Sequence, residues 1–210
     1  MPILRGSVTF SRFRVERSDK TPSDERRWLA RGLQAHAFEP IDRKGDEDRA
    51  TGFVELEHGD KMEFAVGDLF YGERALFAFR VDVIRVSAAT VRDELLRWAT
   101  AFENEHGRKP ARGEKTEAKA GIRQKLRNRA TELTKLHDVA WNLKSDQVQI
   151  WSSSRKQVDE ITAAVESAFS VKLSPLVPGA MALSSGVDED ALQPTAELVG
   201  GELEVSHGAA

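Results

Sequence analysis

The order of hydrophobic periods along this chain predicts an α+β fold: a mixed, largely antiparallel sheet with four helices packed on it, followed by a disordered acidic tail. Three observations carry that expectation. The segments run β-α-β-β-β-α-α-β-β-α-β, with neighbouring strands joined by short turns, which favours antiparallel hairpins over a parallel doubly wound sheet. An apolar fraction of 40% in 210 residues suffices for one core. From residue 178 onward both periodicity and positive charge vanish. Residues 1–177 therefore read as one α+β domain and 178–210 as an appended flexible tail.

The first strand is expected over Ser7 to Val15, where Val8, Phe10 and Phe13 sit among polar residues. A helix follows, with Thr21 as N-cap, Pro22 at its first position, Asp24 closing a capping box, and Leu29, Leu33 and Ala37 at helical spacing. The polar loop DRKGDEDRA leads to TGFVELE and KMEFAV, a hairpin turning at His58-Gly59-Asp60. Leu76 to Val86 alternates cleanly, with Phe77, Phe79, Val81 and Val83 on one face and Ala78, Arg80 and Asp82 on the other. The period then becomes helical: Val91, Leu95, Trp98 and Phe102 form one stripe that runs out at His106-Gly107, with Pro110 beyond. DVAWNLKSDQVQIW gives two strands around Lys144-Ser145-Asp146, with Val139, Trp141 and Leu143 on one face. Ser154 and Gln157 supply a capping box for a helix with the stripe Val158, Ile161, Val165 and Ala168, and VKLSPLV closes the body as a last strand.

Charge is unevenly distributed. The net charge is −3, yet no Lys or Arg occurs after Lys172, while Asp188, Glu189, Asp190, Glu197, Glu202 and Glu204 follow it. Those six negatives separate the whole chain from a body of net +3. No apolar run approaches the roughly 18–20 residues needed to cross a bilayer, and the N-terminus lacks the pattern of a signal peptide. The expectation is a soluble, cytoplasmic protein without a membrane partner. The absence of Cys excludes disulfides, thiolate nucleophiles and Cys-ligated metals within the chain.

The strongest functional signal lies between Arg108 and Lys135, where ten cations meet only Glu114, Glu117 and Glu132, a local net of +7. On a helical projection Ala118, Ile122, Leu126, Ala130 and Leu133 form one apolar arc, flanked by Arg123 and Arg127 on one side and Lys125 and Arg129 on the other. A merely soluble helix interleaves signs to gain i,i+4 pairs, yet from Ala118 to Thr131 there are five cations and no acid. Such a row repels itself unless something negative relieves it, and a phosphate backbone does so with release of counterions. The candidate DNA contacts are Arg112, Lys115, Lys119, Arg123, Lys125, Arg127 and Arg129. A solubilising helix whose stems snorkel over the core is the competing reading.

Enzymatic chemistry has little support. The five His residues lack metal-ligand spacing, and no GxxxxGK[ST], GxGxxG or GxSxG occurs, so no cofactor and no metal are expected. The alternative is a metal-dependent nuclease using Asp82, Asp138 or the Glu103–Glu105 cluster beside His106. Another is a protein-interaction adaptor whose basic helix meets an acidic partner. Trp98 and Trp141 fall on apolar stripes and are expected in the core, whereas Trp28 and Trp151 are less constrained, and Trp151 is open to stacking on a base.

The run KTEAKAGIRQKLRNRATELTKLHDVAWNLKSDQVQIWSSSRKQVDEITAAVESAFSVKLSPLVP resembles the RdgC family of recombination-associated proteins. The shared order is a Lys-rich helix, the pair Arg129-Ala130, a strand bearing Trp141, a hairpin, a Ser-opened helix and a Leu-Pro strand ending. Upstream, AFEPID, TGFVEL and FAVGDLFYGERALFAFRVDVIRVSAATV are similar to the family's N-terminal half, so the resemblance covers roughly residues 5–178. It implies a non-enzymatic, sequence-nonspecific binder of double-stranded DNA, a homodimer that closes around the duplex and restrains RecA-dependent recombination. It also implies that Lys119, Arg123, Lys125, Arg127 and Arg129 line the basic wall. Asn128 and Thr131 stand where the family carries a Pro and a Phe, and typical members continue well beyond Pro178.

Overall fold

The computed structural model describes residues 9–17 and 23–192. Its centre is a seven-stranded sheet, antiparallel at every strand pairing: β1 Ser11–Glu16, β2 Arg49–Glu55, β3 Phe70–Tyr71, β4 Arg74–Ile84, β5 Glu132–Asn142, β6 Gln147–Ile150 and β7 Lys172–Pro175. The spatial order is β2-β4-β5-β6-β1-β7, with β3 pairing the start of β4. Pro175, which has no N–H to donate, stands at the end of the edge strand β7, where that loss costs least.

One sheet face carries the main core. The helices α1 Glu25–Ala35 and α5 Arg155–Phe169 lie on it, burying Leu29, Leu33, Ile161 and Val165 against Phe77, Val139, Trp141, Val148 and Ile150. Trp28, Trp141 and Phe169 meet edge to face, with centroids 5.1–5.8 Å apart. The helices approach so closely that a Cβ on Gly32 would stand 2.2 Å from the Phe169 ring. The alternation Phe77, Phe79, Val81 points into this core as the sequence predicts.

The opposite face of β2 and β4 is covered by the segment between α1 and β2, and by the loop after β2. Phe38 packs there with Val54 and Ala78, and Arg80 lies over the Phe38 ring at 4.5 Å. Phe38 N–H donates to Phe53 C=O at 2.9 Å, and a Cβ on Gly52 would meet the Phe38 Cα at 2.4 Å, so only Gly permits the approach.

Several expectations change in detail. Thr21, Pro22 and Val8 lie outside the described residues, and Asp24 is the observed N-cap of α1, accepting from Arg27 N–H at 3.1 Å. KMEFAV is not a strand: Glu55 N–H donates to Lys61 C=O, the chain turns back through the short helix α2 Val66–Leu69, and β4 takes the place beside β2. Ser154 does cap α5, but its hydroxyl accepts no cap hydrogen bond, and Gln157 donates to Glu160 instead. Trp141 is fully buried, whereas Trp98 is only half-buried. Of the expected tail, Pro178–Ser184 forms the helix α6 and Glu189–Leu192 a 3-10 turn, while residues 193–210 lie outside the described residues.

Candidate nucleic-acid interface

The helices α3 Ala88–His106 and α4 Arg112–Arg129 form a hairpin whose principal contacts are with each other rather than with the sheet. Ser87 caps α3, and Gly107 ends it with φ of 65°, a left-handed conformation that suits Gly, its N–H donating to Glu103 C=O. Glu114 then organises the connection. Its carboxylate accepts from the Ala111 N–H at 2.7 Å and from both terminal nitrogens of Arg108 at 2.7 and 2.9 Å. The Arg108 guanidinium and that N–H hold its pKa down to about 2. Arg108 also lies over the Phe102 ring, on which His106 stacks at 4.1 Å.

The C-terminal end of α4 is anchored by the loop that the sequence read simply as polar. Arg127 is 3% exposed, and its guanidinium donates to Asp48 Oδ1 at 2.7 Å and to the backbone oxygens of Asp42, Arg43 and Glu47 at 2.6–3.0 Å. Arg43 answers from the other side, donating to the Ala130 carbonyl just past the helix end, to the Arg127 carbonyl alongside the Ala130 N–H, and to Glu132. Arg123 reaches the second oxygen of Asp48 at 3.1 Å. Asp48 is accordingly held below the usual carboxylate range, chiefly by Arg127.

The seven candidate contacts thus divide. Arg127, expected on a solvent flank, is buried and spends its donors on the fold, so it cannot serve as a phosphate contact. Arg123 is exposed but shares Asp48. Arg112, Lys115, Lys119, Lys125 and Arg129 are exposed, and among the described residues none of their charged groups is in an ion pair. These five span about 25 Å along the axis, the rise of about seven base pairs. Ala118, Ile122 and Leu126 are half-buried, as expected of the apolar arc. The helix stops at Arg129, however, and Leu133 belongs to β5 with 51% of its surface exposed.

The acids considered for a nuclease do not converge. Asp138 faces Ala78 across β4–β5, four residues from Asp82, which separates the two carboxylates by about 13 Å along the strands. Asp82 is buried and gripped by Arg80 through two bonds of 2.7 and 3.0 Å. Burial alone would raise its pKa, but the hydrogen bonds from Arg80 and Thr134 outweigh that and hold it low. Glu103, Glu105 and His106 are exposed at the end of α3.

The sequence reading missed a second basic surface. The sheet face opposite the main core carries Arg74, Asn142, Gln147, Arg14 and Ser174 in direct register across five strands, with Arg12 beside them and Lys172 opposite Glu16, which accepts from the Ser174 hydroxyl. The signal was present in RFRVE, where Arg12 and Arg14 alternate with the buried Phe13 and Val15.

Comparison with known proteins decides the family. The profile described as "Putative exonuclease, RdgC" matches residues 10–185. The chain belongs to the RdgC family. At that level it is a recombination-associated, DNA-binding protein, and the resemblance read from the basic helix and the Trp141 strand holds across most of the chain. No curated protein matches the chain. No helix among the described residues is long and apolar enough to cross a membrane.

Proposed function

We propose that this RdgC-family chain binds double-stranded DNA without sequence preference, through phosphate contacts made by the exposed row on α4, and performs no bond-breaking chemistry itself. The observation that carries the reading is the pairing pattern. The fold neutralises Arg127, Arg123 and Arg108 with its own groups and leaves Arg112, Lys115, Lys119, Lys125 and Arg129 without partners among the described residues. A helix anchored by its buried Arg127 presents those five charges in a fixed array, and counterion release supplies the binding free energy.

In this reading the protein acts as a homodimer that clamps or encircles the duplex and restrains RecA-dependent recombination by occupying it. Support for dimerisation and for the restraint comes from the family resemblance alone. The nuclease reading is favoured by the word "exonuclease" in the family description, and the separation of Asp82 from Asp138 argues against that pair. Incubation with labelled duplex and Mg²⁺ or Mn²⁺ separates the two. The proposal expects a retarded, intact duplex and slower RecA strand exchange; cleavage abolished by Asp138→Ala would replace it.

A further inference from the structure

A third basic feature is a cleft of about 630 Å³ where the main sheet face runs past the start of α5. Its floor is Val81 and Val83 on β4 and Leu133 on β5. Val83 stands directly opposite Leu133, and Val81 opposite Lys135, so these side chains share one face. The helices α1 and α5 cover the sheet at Phe77 and Val139 but leave this end open, which is why Leu133 is 51% exposed within a structured strand.

The rim is cationic. Arg49, Arg85, Lys135 and Lys156 come from four places in the fold, and among the described residues no carboxylate lines the cleft. Of the four, Arg49 is answered by Glu160 at 2.6 Å, and the charged groups of the other three have no partner among the described residues. Ser154, Lys156 and Gln157 line the cleft, so the first turn of the fifteen-residue helix α5 borders the same space. Trp151, in ring contact with Phe10 at 5.2 Å, borders the cleft at the end of β6 and also faces Leu76 and Gln149 on the other side of the sheet. Burial pushes the pKa of His137 down, so the cleft's charge comes from Lys and Arg and does not change near neutral pH.

One end of the cleft therefore suits a dianion and the other a flat apolar ring. The volume lies within the ordinary range for small-ligand sites and far below what a duplex needs. We propose that this cleft binds one phosphorylated nucleotide, its phosphate held by Lys135, Lys156 and Arg85 and its base laid on Val81, Val83 and Leu133 against Trp151. The nucleotide is either the unstacked terminal residue of a DNA strand or a free mononucleotide. The strand-end form rests on the DNA-binding reading above and would seat the protein at duplex ends as well as along them.

The test uses the full chain, and three blunt duplexes of one length bearing a 5′-phosphate, a 3′-phosphate or neither. A relaxed circular duplex and dAMP complete the set. The wild type should bind one phosphorylated end at least five-fold more tightly than the hydroxyl end. Lys135→Ser/Lys156→Ser, both exposed, should abolish that preference while circular duplex is bound as before. Saturable shifts of the Val83 and Leu133 methyl resonances with dAMP, absent in the double variant, would support the same pocket with a free nucleotide as its source. Equal affinity for all ends together with no dAMP response would overturn the inference, while retained binding of circular DNA would leave the α4 reading intact. Loss of circular-duplex binding by the unaltered protein would instead strike at α4.

Discussion

Arg127 and Arg129 are two residues apart in an acid-free window, and nothing local distinguishes them, yet the fold gives them opposite tasks. Arg127 is saturated by partners 79–85 positions away, and contacts of that separation leave no trace in local periodicity. Its replacement by Ala should destabilise the protein by about 1–3 kcal/mol, because three backbone oxygens lose their donor and Asp48 keeps only Arg123. Arg127→Lys should recover little, since one ammonium cannot span those four acceptors. Arg129→Ala should change stability by under about 0.5 kcal/mol and weaken DNA binding instead. Urea unfolding and a DNA titration on the same samples check the pair; equal destabilisation by both would contradict the division of roles. Glu114 offers a titration at this scale. Its pKa is lowered from 4.5 to about 2, so the contact that ties it to Arg108 and Ala111 is fully present above about 4.5 and is lost as pH falls through about 2. Carboxyl-carbon NMR should show that low midpoint in the wild type and a rise toward the usual value in Arg108→Ala.

Elements were legible where one period ran unbroken. The strand β4 alternates over its whole length and spans Arg74–Ile84 where the sequence predicts Leu76 to Val86, and the stripe of α5 repeats at helical spacing after Ser154 as expected. Legibility failed where two periods overlapped or tertiary pairing decided. Ala130 and Leu133 continue the apolar spacing of α4, but Ala130 adopts an extended backbone with φ −69° and ψ 139°, and β5 begins at Glu132. KMEFAV has strand composition but loses its place beside β2 to β4, whose eleven residues all pair with β5 and whose residues 77–83 also pair with β2. Packing of α1 on α5 gives a prediction at this scale. Gly32→Ala places a methyl 2.2 Å from an atom of the Phe169 ring, and overpacking should cost about 1–3 kcal/mol. It should lower the thermal midpoint and perturb the Trp28 and Trp141 resonances; an unshifted midpoint would mean that the helix pair is not held this tightly.

For the whole molecule, the two legible quantities were class and charge distribution. Both follow from features that add along the chain: alternating segments sum to an antiparallel sheet, and a one-signed window gives a charged surface. Two features lay beyond such addition. The basic rim of the cleft draws on four separated places in the fold, and the row from Arg74 to Arg14 exists only because β4, β5, β6 and β1 fall into register. The central claim is that the exposed cations of α4 neutralise DNA phosphates, and the salt dependence of binding tests it most directly. Five contacts on each subunit predict a slope of log K against log salt of about −4.5 per subunit engaged on duplex DNA. Lys115→Gln/Lys119→Gln/Lys125→Gln/Arg129→Gln should fold normally, lose most of its affinity at low salt, and flatten the slope to about −1 per subunit. A quadruple variant that binds with the wild-type slope would contradict the account and move the interface to another surface of the molecule.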